Sequence, residues 1–244
     1  APMKALTSIR TDGDKIEIVD QLLLPHTTQY IEVKTIEDAH SAIKTMRIRG
    51  APAIASLAAL AFAADLSSGL QTSADYLMSP EALKAHVEPI LAYLYTARPT
   101  AVNLGTAIRE LTAVLESRIK AGKDAKTICE ALIATAHRVA DEDVGRNKQM
   151  AQLGGDWLAE RRQKNGASGE GLNVLTVCNT GSLATSGYGT ALGLITYLHE
   201  TGKLGTAFFT QTAPYHQGSR CDAWMLAHGS TRLTVYCQTD RAGA

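Results

Sequence analysis

The stretch of the chain best suited to chemistry runs from Asn173 to Ile195, with the sequence NVLTVCNTGSLATSGYGTALGLI. Its apolar run from Val174 to Val177 predicts a buried parallel strand that carries the thiol of Cys178 at its carboxyl end. A turn of small and hydroxyl-bearing residues follows, and a helix leads away from it. This construction is typical of a ligand site in an open α/β sheet. The thiol is either a small buried hydrophobe or a working group, and the surrounding motifs favour the working group.

The glycines of the same turn could hold a phosphate through backbone amides. Residues 187–193 come closest to a dinucleotide-binding fingerprint, but their G-x-G-x-x-x-G spacing is one residue too long. No acidic residue ends a second strand about 20 residues further on, as that fingerprint requires. We therefore expect no nicotinamide cofactor, and the sequence suggests no other cofactor.

Two arginines at helix junctions are candidate ligands for an anion. Arg49 precedes Gly50, Ala51 and Pro52, and proline suits the first turn of a helix. A guanidinium offers forked donors to phosphate, glycine permits close backbone approach, and a helix amino end presents free N–H groups. Arg98 lies in a second connection between helices. If both arginines face the thiol-bearing loop, they predict a pocket for an anionic ligand between two domains. The simpler alternative for each arginine is a solvent-exposed side chain at a turn.

Polar residues also follow the later strands of the chain. Gln217 and His216 follow a predicted strand over 207–210, and either could hydrogen-bond a sugar hydroxyl. Asp240 follows a predicted strand over 232–236 and is the carboxylate nearest a strand end in this half. In an apolar pocket beside a thiol its pKa would rise, and it could act as a general acid or base. A polar loop and a solvated terminal aspartate are the simpler alternatives.

The composition narrows the class of protein. Lys+Arg and Asp+Glu number 24 each and the pI is near 7.2, which argues against a nucleic-acid or membrane-surface protein. No apolar run of about 18 residues predicts a membrane span, and the first residues lack the apolar core of a signal peptide. The four cysteines and seven histidines show no metal-ligand spacing. We expect a cytoplasmic enzyme, also nuclear if the source is eukaryotic, without a metal.

The elements predict an α/β fold. Short strands are predicted over residues 4–34, because polar and apolar residues alternate over 15–19 and 30–33. With the helices that follow up to about residue 160, broken near Gly154 and Gly155, they form a mainly helical domain with a small β element, residues 1–165. The Thr35 side chain is expected to cap the first helix, with Asp38 three positions on. After a linker-like stretch, strands alternate with helices predicted over about 185–201 and 218–227. This alternation predicts a Rossmann-like parallel-sheet domain, residues 166–244. Three strands make a poor doubly wound sheet, so this domain is expected to be incomplete.

Taken together, these motifs resemble the methylthioribose-1-phosphate isomerase family, the aldose–ketose isomerases of methionine salvage, over almost the whole chain. The resembling blocks are Met46–Ile54, Arg98–Leu104, Cys178–Thr185 with Gly187–Ala191, and Pro214–Gly218. The block that begins at Cys178 is the most specific of them.

The resemblance implies a reaction, a site and an assembly. The reaction is isomerisation of 5-methylthioribose 1-phosphate to 5-methylthioribulose 1-phosphate, by a homodimer with no nucleic-acid or membrane partner. The implied catalytic pair is Cys178 and, in a Thr-Asp motif, Asp240. The implied substrate contacts are Arg49, Gly50, Ala51, Arg98 and Gln217. Two departures stand out: Ala213 replaces the family's usual arginine, and the family's later Asn-Lys contact has no counterpart.

Two alternatives stay open at the level of sequence. One is a non-enzymatic regulatory subunit of the guanine-nucleotide exchange factor for translation initiation, which has the same architecture. The Asn-Thr-Gly-Ser setting of Cys178 and the Arg49-Gly50-Ala51 motif favour the enzyme, because a scaffold needs neither. The other is an isomerase of a different sugar phosphate, such as ribose 1,5-bisphosphate.

Overall fold

The computed structural model describes residues 6–24, 26–166, 171–211 and 233–237, with the backbone alone given for residues 143, 211 and 233–237. The chain divides into two compact units. We call Ser8–Asp143 the amino-terminal unit, and Val144–Ala244 with Ala1–Thr7 the carboxyl-terminal unit. Each unit is described by itself below.

The amino-terminal unit begins with a small antiparallel sheet and continues as helices. The strands, in sheet order, are β1 (Ile9–Asp12), β2 (Lys15–Val19) and β3 (Tyr30–Val33). The helices are α1 (Ile36–Lys44), α2 (Ala51–Thr72), α3 (Pro80–Thr96), α4 (Val102–Lys120) and α5 (Ala125–Lys164), which continues into the second unit; a short 3-10 turn, Asp75–Met78, precedes α3. The predicted strands at Lys15 and Tyr30 are confirmed.

The start of α1 shows why a helix forms there. The hydroxyl of Thr35 accepts a hydrogen bond from the Asp38 amide at 3.1 Å, and the Thr35 amide donates to the Asp38 carboxylate at 3.2 Å. This reciprocal pair gives hydrogen-bond acceptors to two backbone amides that have none within the helix. The predicted cap is confirmed.

Helix α2 forms the centre of the amino-terminal core. Leu57, Phe62 and Leu66 are fully buried in it, and the other helices pack around them. By length and composition α2 could cross a membrane, but 72% of its apolar window is buried inside the protein. That degree of burial is typical of a core helix, which the sequence predicts for this segment.

The carboxyl-terminal unit contains a parallel sheet. Its elements after α5 are β4 (Leu172–Thr176), a 3-10 turn (Ser182–Ala184), α6 (Ala191–Glu200), β5 (Leu204–Gln211) and β6 (Leu233–Cys237). The strands pair in the order β4-β5-β6, and both pairings are parallel. Leu192 and Ile195 of α6 pack on Ala207 and Phe209 of β5. The predicted α/β class is confirmed; the helix predicted over 218–227 lies outside the described residues.

The predicted break in α5 is wrong, because the helix runs without interruption from Ala125 to Lys164. A Cβ atom added at Gly155 would lie 2.6 Å from the Tyr197 ring, and one at Gly154 would lie 2.9 Å from Leu194. The two glycines therefore allow α6 to approach α5 closely. The two compact units divide inside α5, between Asp143 and Val144. The domain boundary that the sequence predicts between residues 165 and 166 stays a prediction.

The helix that follows the cysteine loop also starts later than expected. The sequence predicts a helix from about residue 185, whereas α6 begins at Ala191. The Thr185 hydroxyl reaches back to the carbonyl of Ser182 at 3.3 Å and accepts a hydrogen bond from the Gly187 amide at 3.3 Å. Threonine and serine commonly compete with helical bonding in this way, so residues 185–190 form a loop.

Candidate active site

Cys178 lies in the loop between β4 and α6, which we call the cysteine loop (residues 177–190). Strand β4 ends at Thr176, and the thiol-bearing residue follows two positions later with an exposed side chain. Its backbone φ is 75°, in the left-handed region that favours glycine. Strained residues of this kind persist where the surrounding structure holds them, and they are common at functional sites. The geometry therefore distinguishes Cys178 from a buried structural cysteine.

Three threonines and a glycine fix the base of the cysteine loop. The Thr176 and Thr180 hydroxyl oxygens lie 3.2 Å apart, and the Thr190 amide donates to the Thr180 carbonyl at 2.9 Å. At Gly189, an added Cβ atom would lie 2.6 Å from that same carbonyl oxygen. The two ends of the loop thus meet at Thr180, and only glycine fits beside them.

The far side of the loop is anchored by α5. The side-chain amide of Asn147 donates to the Tyr188 carbonyl at 2.8 Å, and the Tyr188 hydroxyl donates to the Gly193 carbonyl at 3.1 Å. Burial raises the pKa of Tyr188, so this hydroxyl stays protonated as a donor. Sequence reasoning missed Asn147, because a single polar residue in a helical pattern looks like part of a solvated face.

The residue after the cysteine has an unusual environment. Asn179 is 6% exposed, and its side-chain nitrogen Nδ2 is buried with no hydrogen-bond partner in the described part of the chain. Thr190 precedes α6 without a side-chain cap. The amino end of a helix of this length carries free N–H groups and a partial positive charge. The cysteine loop therefore combines an exposed thiol, a buried amide donor and an uncapped helix end.

The second predicted site element is the arginine turn, residues 45–51, between α1 and α2. Arg49 is 3% exposed, and it donates from Nε to the Met46 carbonyl at 3.0 Å and from Nη2 to the Gln21 carbonyl at 3.1 Å. The Gln21 amide donates in return to the Arg47 carbonyl at 2.8 Å. The guanidinium therefore holds the turn against the residues that follow β2, a role that the sequence did not reveal.

The arginine turn leads directly into α2. Gly50 has a φ of 107° and a ψ of 132°, a conformation that favours glycine, and no side chain caps the helix. Ala51 is exposed at the helix start, with Pro52 beside it in the first turn. The structure thus keeps Arg49, Gly50 and Ala51 together, with helix N–H groups available to an anion.

The remaining predicted site residues are less fully described. Arg98 is half-buried in the connection between α3 and α4, where its carbonyl accepts a hydrogen bond from the Ala101 amide at 3.0 Å. Gln217 and Asp240 lie outside the described residues. The strands before them, β5 and β6, end at Gln211 and Cys237, on the same edge of the parallel sheet as the end of β4. In the described ranges no group of three or more His, Cys, Asp or Glu residues could hold a metal ion.

Comparisons with known proteins bear on the reaction class. The Initiation factor 2 subunit family matches residues 47–241. A methylthioribose-1-phosphate isomerase of Laccaria bicolor is 63% identical over 238 residues, which are 96% of this chain and 62% of that protein. The chain therefore spans about three fifths of the length of this relative.

Solved structures give the same picture of the fold. The crystal structure of 5-methylthioribose 1-phosphate isomerase from Pyrococcus horikoshii matches with a TM-score of 0.76 and 27% identity, over 97% of this chain and 62% of that one. The translation initiation factor eIF-2B subunit delta from A. fulgidus matches with a TM-score of 0.68 and 31% identity, over 96% and 62%. Proteins of two different functions thus share this architecture.

Proposed function

Since the chain belongs to the Initiation factor 2 subunit family, we propose that it acts as an aldose–ketose isomerase on 5-methylthioribose 1-phosphate. The observation that carries the proposal is the exposed, left-handed Cys178 at the carboxyl end of β4. A relative with 63% identity, named methylthioribose-1-phosphate isomerase, supports the choice of substrate. The product is 5-methylthioribulose 1-phosphate, formed in methionine salvage.

The reaction rearranges one molecule without an external oxidant. A phosphate on the anomeric oxygen prevents spontaneous ring opening, so a general acid must protonate the ring oxygen as the bond from C1 to that oxygen breaks. The hydrogen on C2 then moves to C1, and the C2 hydroxyl returns a proton to the general acid, now a carboxylate, as the ketone forms. C1 is reduced and C2 is oxidised, which is the balance of an intramolecular oxidoreductase.

We assign roles to the residues on chemical grounds. Asp240 is the proposed general acid, and Cys178 assists the hydrogen shift by proton transfer or by stabilising charge. Gly50 and Ala51 are proposed to bind the phosphate through the amino end of α2, with the charge of the buried Arg49 behind them. Arg98 and Gln217 complete the proposed substrate contacts.

The proposal extends to assembly and location. We propose that the active form is a cytoplasmic homodimer, as the resemblance in sequence implies. It needs no metal or organic cofactor and binds neither nucleic acid nor a membrane. Sedimentation and cell fractionation would test these two points separately from catalysis.

The experiment that tests the function compares the two cysteines whose side chains the structure describes. Cys178→Ala should lower kcat on 5-methylthioribose 1-phosphate by about a thousandfold with little change in Tm, because a positioned catalytic group is worth roughly that factor. Cys129→Ala, at a buried thiol whose pKa is raised by burial to about 11, is the matched control and should retain kcat. Full turnover by Cys178→Ala would refute the catalytic assignment.

One other function has a specific observation in its favour. The eIF-2B subunit delta structure matches at 31% identity, so a non-enzymatic regulatory subunit shares the fold. A folded wild-type chain without turnover on the methylthio sugar or on ribose 1,5-bisphosphate would favour that function. Higher kcat/KM on ribose 1,5-bisphosphate would instead identify a different sugar-phosphate isomerase.

A further inference from the structure

The cysteine loop contains one polar side chain that its own fold does not explain. Asn179 is buried to 94% (6% exposed), and Nδ2 has no hydrogen-bond partner in the described part of the chain. A buried donor left unsatisfied destabilises the fold. The loop is closed by the contacts of Thr176, Thr180 and Thr190, and none of these uses the asparagine side chain.

This donor is next in sequence to the cysteine that we propose takes part in the reaction. Asn179 follows Cys178 directly, and the cysteine side chain is exposed while the asparagine amide is not. A donor buried in this way does not compete with bulk water. In a site of low polarity, a donor aimed at an oxygen where charge develops has a large effect on rate.

We propose that Nδ2 of Asn179 donates a hydrogen bond to the oxygen on C2 of the sugar, a role that rests on the isomerase function proposed above. That oxygen gives up its proton on the way to the ketone, so it carries negative charge between the loss of the proton and the completion of the C2 carbonyl. The amide N–H stabilises this charge and transfers no proton itself. Asn179 is thus a substrate-contacting residue in addition to Cys178.

The choice of the C2 oxygen follows from the chemistry assigned to Cys178. The thiol is proposed to assist the movement of hydrogen between C2 and C1, and Asn179 is adjacent to it in sequence. The oxygens on these two carbons are therefore the candidates for its hydrogen bond. The oxygen on C1 is bonded to phosphate throughout the reaction and gains no charge in the hydrogen shift. A neutral amide also suits a hydroxyl or carbonyl oxygen, whereas a phosphate is better matched by a guanidinium.

The test measures whether the 2-hydroxyl of the sugar contributes to binding affinity only when Asn179 is present. In the Cys178→Ala background, which is expected to bind without turnover, calorimetry gives Kd for 5-methylthioribose 1-phosphate and for its 2-deoxy analogue. We expect the hydroxyl to tighten binding about tenfold there, and the ratio to fall to about one when Asn179→Ala is added. With Cys178 intact, Asn179→Ala should lower kcat about a hundredfold and raise KM about tenfold, because the hydrogen bond to the hydroxyl is also lost in the ground state.

Two further variants keep the test decisive. Asn179→Asp has the same shape without the amide donor, and it replaces the alanine variant if that one fails to fold. Asn173→Ala removes an exposed asparagine whose side-chain oxygen accepts from the Thr206 amide, and it should leave the hydroxyl ratio unchanged.

The outcomes separate this inference from the function on which it rests. An equal hydroxyl ratio with and without Asn179, in a wild-type protein that turns over the substrate, overturns the role of Asn179 alone. A wild-type protein that neither binds nor converts 5-methylthioribose 1-phosphate overturns both.

Discussion

The arginine turn joins α1 to the amino end of α2, and the cysteine loop joins β4 to the amino end of α6. The two loops differ in whether the key side chain is buried or exposed. Arg49 is 3% exposed and bonds to the backbone of its own unit, whereas Cys178 is exposed on a loop fixed by its neighbours. In the arginine turn Met46 and Gly50 have positive φ, at 63° and 107°, whereas in the cysteine loop the residue with positive φ is Cys178 itself. In the first loop the charged residue stabilises the backbone; in the second the backbone presents the reactive residue.

The largest expected effect tests whether Arg49 stabilises the fold. Arg49→Met should lower the free energy of unfolding by about 3 kcal/mol, because two hydrogen bonds from a charged group to buried carbonyls are lost. Arg98→Met is the matched control, since Arg98 is half-buried in a connection, and should change stability by about 0.5 kcal/mol or less. Urea unfolding measures both, and equal values for the two variants would remove the contrast between the loops.

The next effect tests whether neighbours fix the cysteine loop. Gly189→Ala places a Cβ atom 2.6 Å from the Thr180 carbonyl oxygen and should cost about 2 kcal/mol. Gly187→Ala adds the same atom 3.5 Å from Val144, an ordinary contact, and serves as the control. If Gly189→Ala unfolds at the same urea concentration as Gly187→Ala, the loop is not held at Thr180.

A smaller effect concerns the strain at Cys178. Replacing the residue by glycine should give a protein about 1 kcal/mol more stable than replacing it by alanine, because a Cβ atom disfavours the left-handed region. Thermal unfolding of Cys178→Gly and Cys178→Ala measures this difference directly. A more stable alanine variant would show that the loop does not impose a φ of 75°.

The smallest effect depends on pH and belongs to the amino-terminal unit. His40 of α1 stacks on Tyr93 and shares a 2.9 Å hydrogen bond with Thr96, and burial, assisted by the charge of Lys44, lowers the pKa of His40 below 6.5. Because the unfolded chain binds this proton more readily, stability should fall as the pH drops below about 6.5.

The pH effect can be assigned to one residue. His40→Gln should reduce the loss of unfolding free energy between pH 7.5 and about 5.5, whereas replacement of the exposed His26 by Gln should leave the loss unchanged. Equal pH dependence in the wild type and in His40→Gln would exclude His40 as the source.

The sequence predicted much of the fold and part of the site. Local signals sufficed for the Thr35 cap and for the strands at Lys15 and Tyr30, because caps and alternation are properties of a few adjacent residues. The Gly154–Gly155 pair was misread as a helix break, since the side chains of α6 that require the glycines are distant in sequence. The same reason hid Asn147 and the burial of Arg49, while the positions of Gln217 and Asp240 relative to Cys178 remain predictions.

The backbone conformation of Cys178 also has a consequence for how such proteins diverge. A side chain that its own backbone disfavours is retained only while selection acts on what the side chain does. Once turnover is no longer selected, replacement of the cysteine by glycine meets no folding cost. A lineage can then lose its chemistry and keep its architecture, so enzymes and subunits of other assemblies could descend from one fold by a single early substitution.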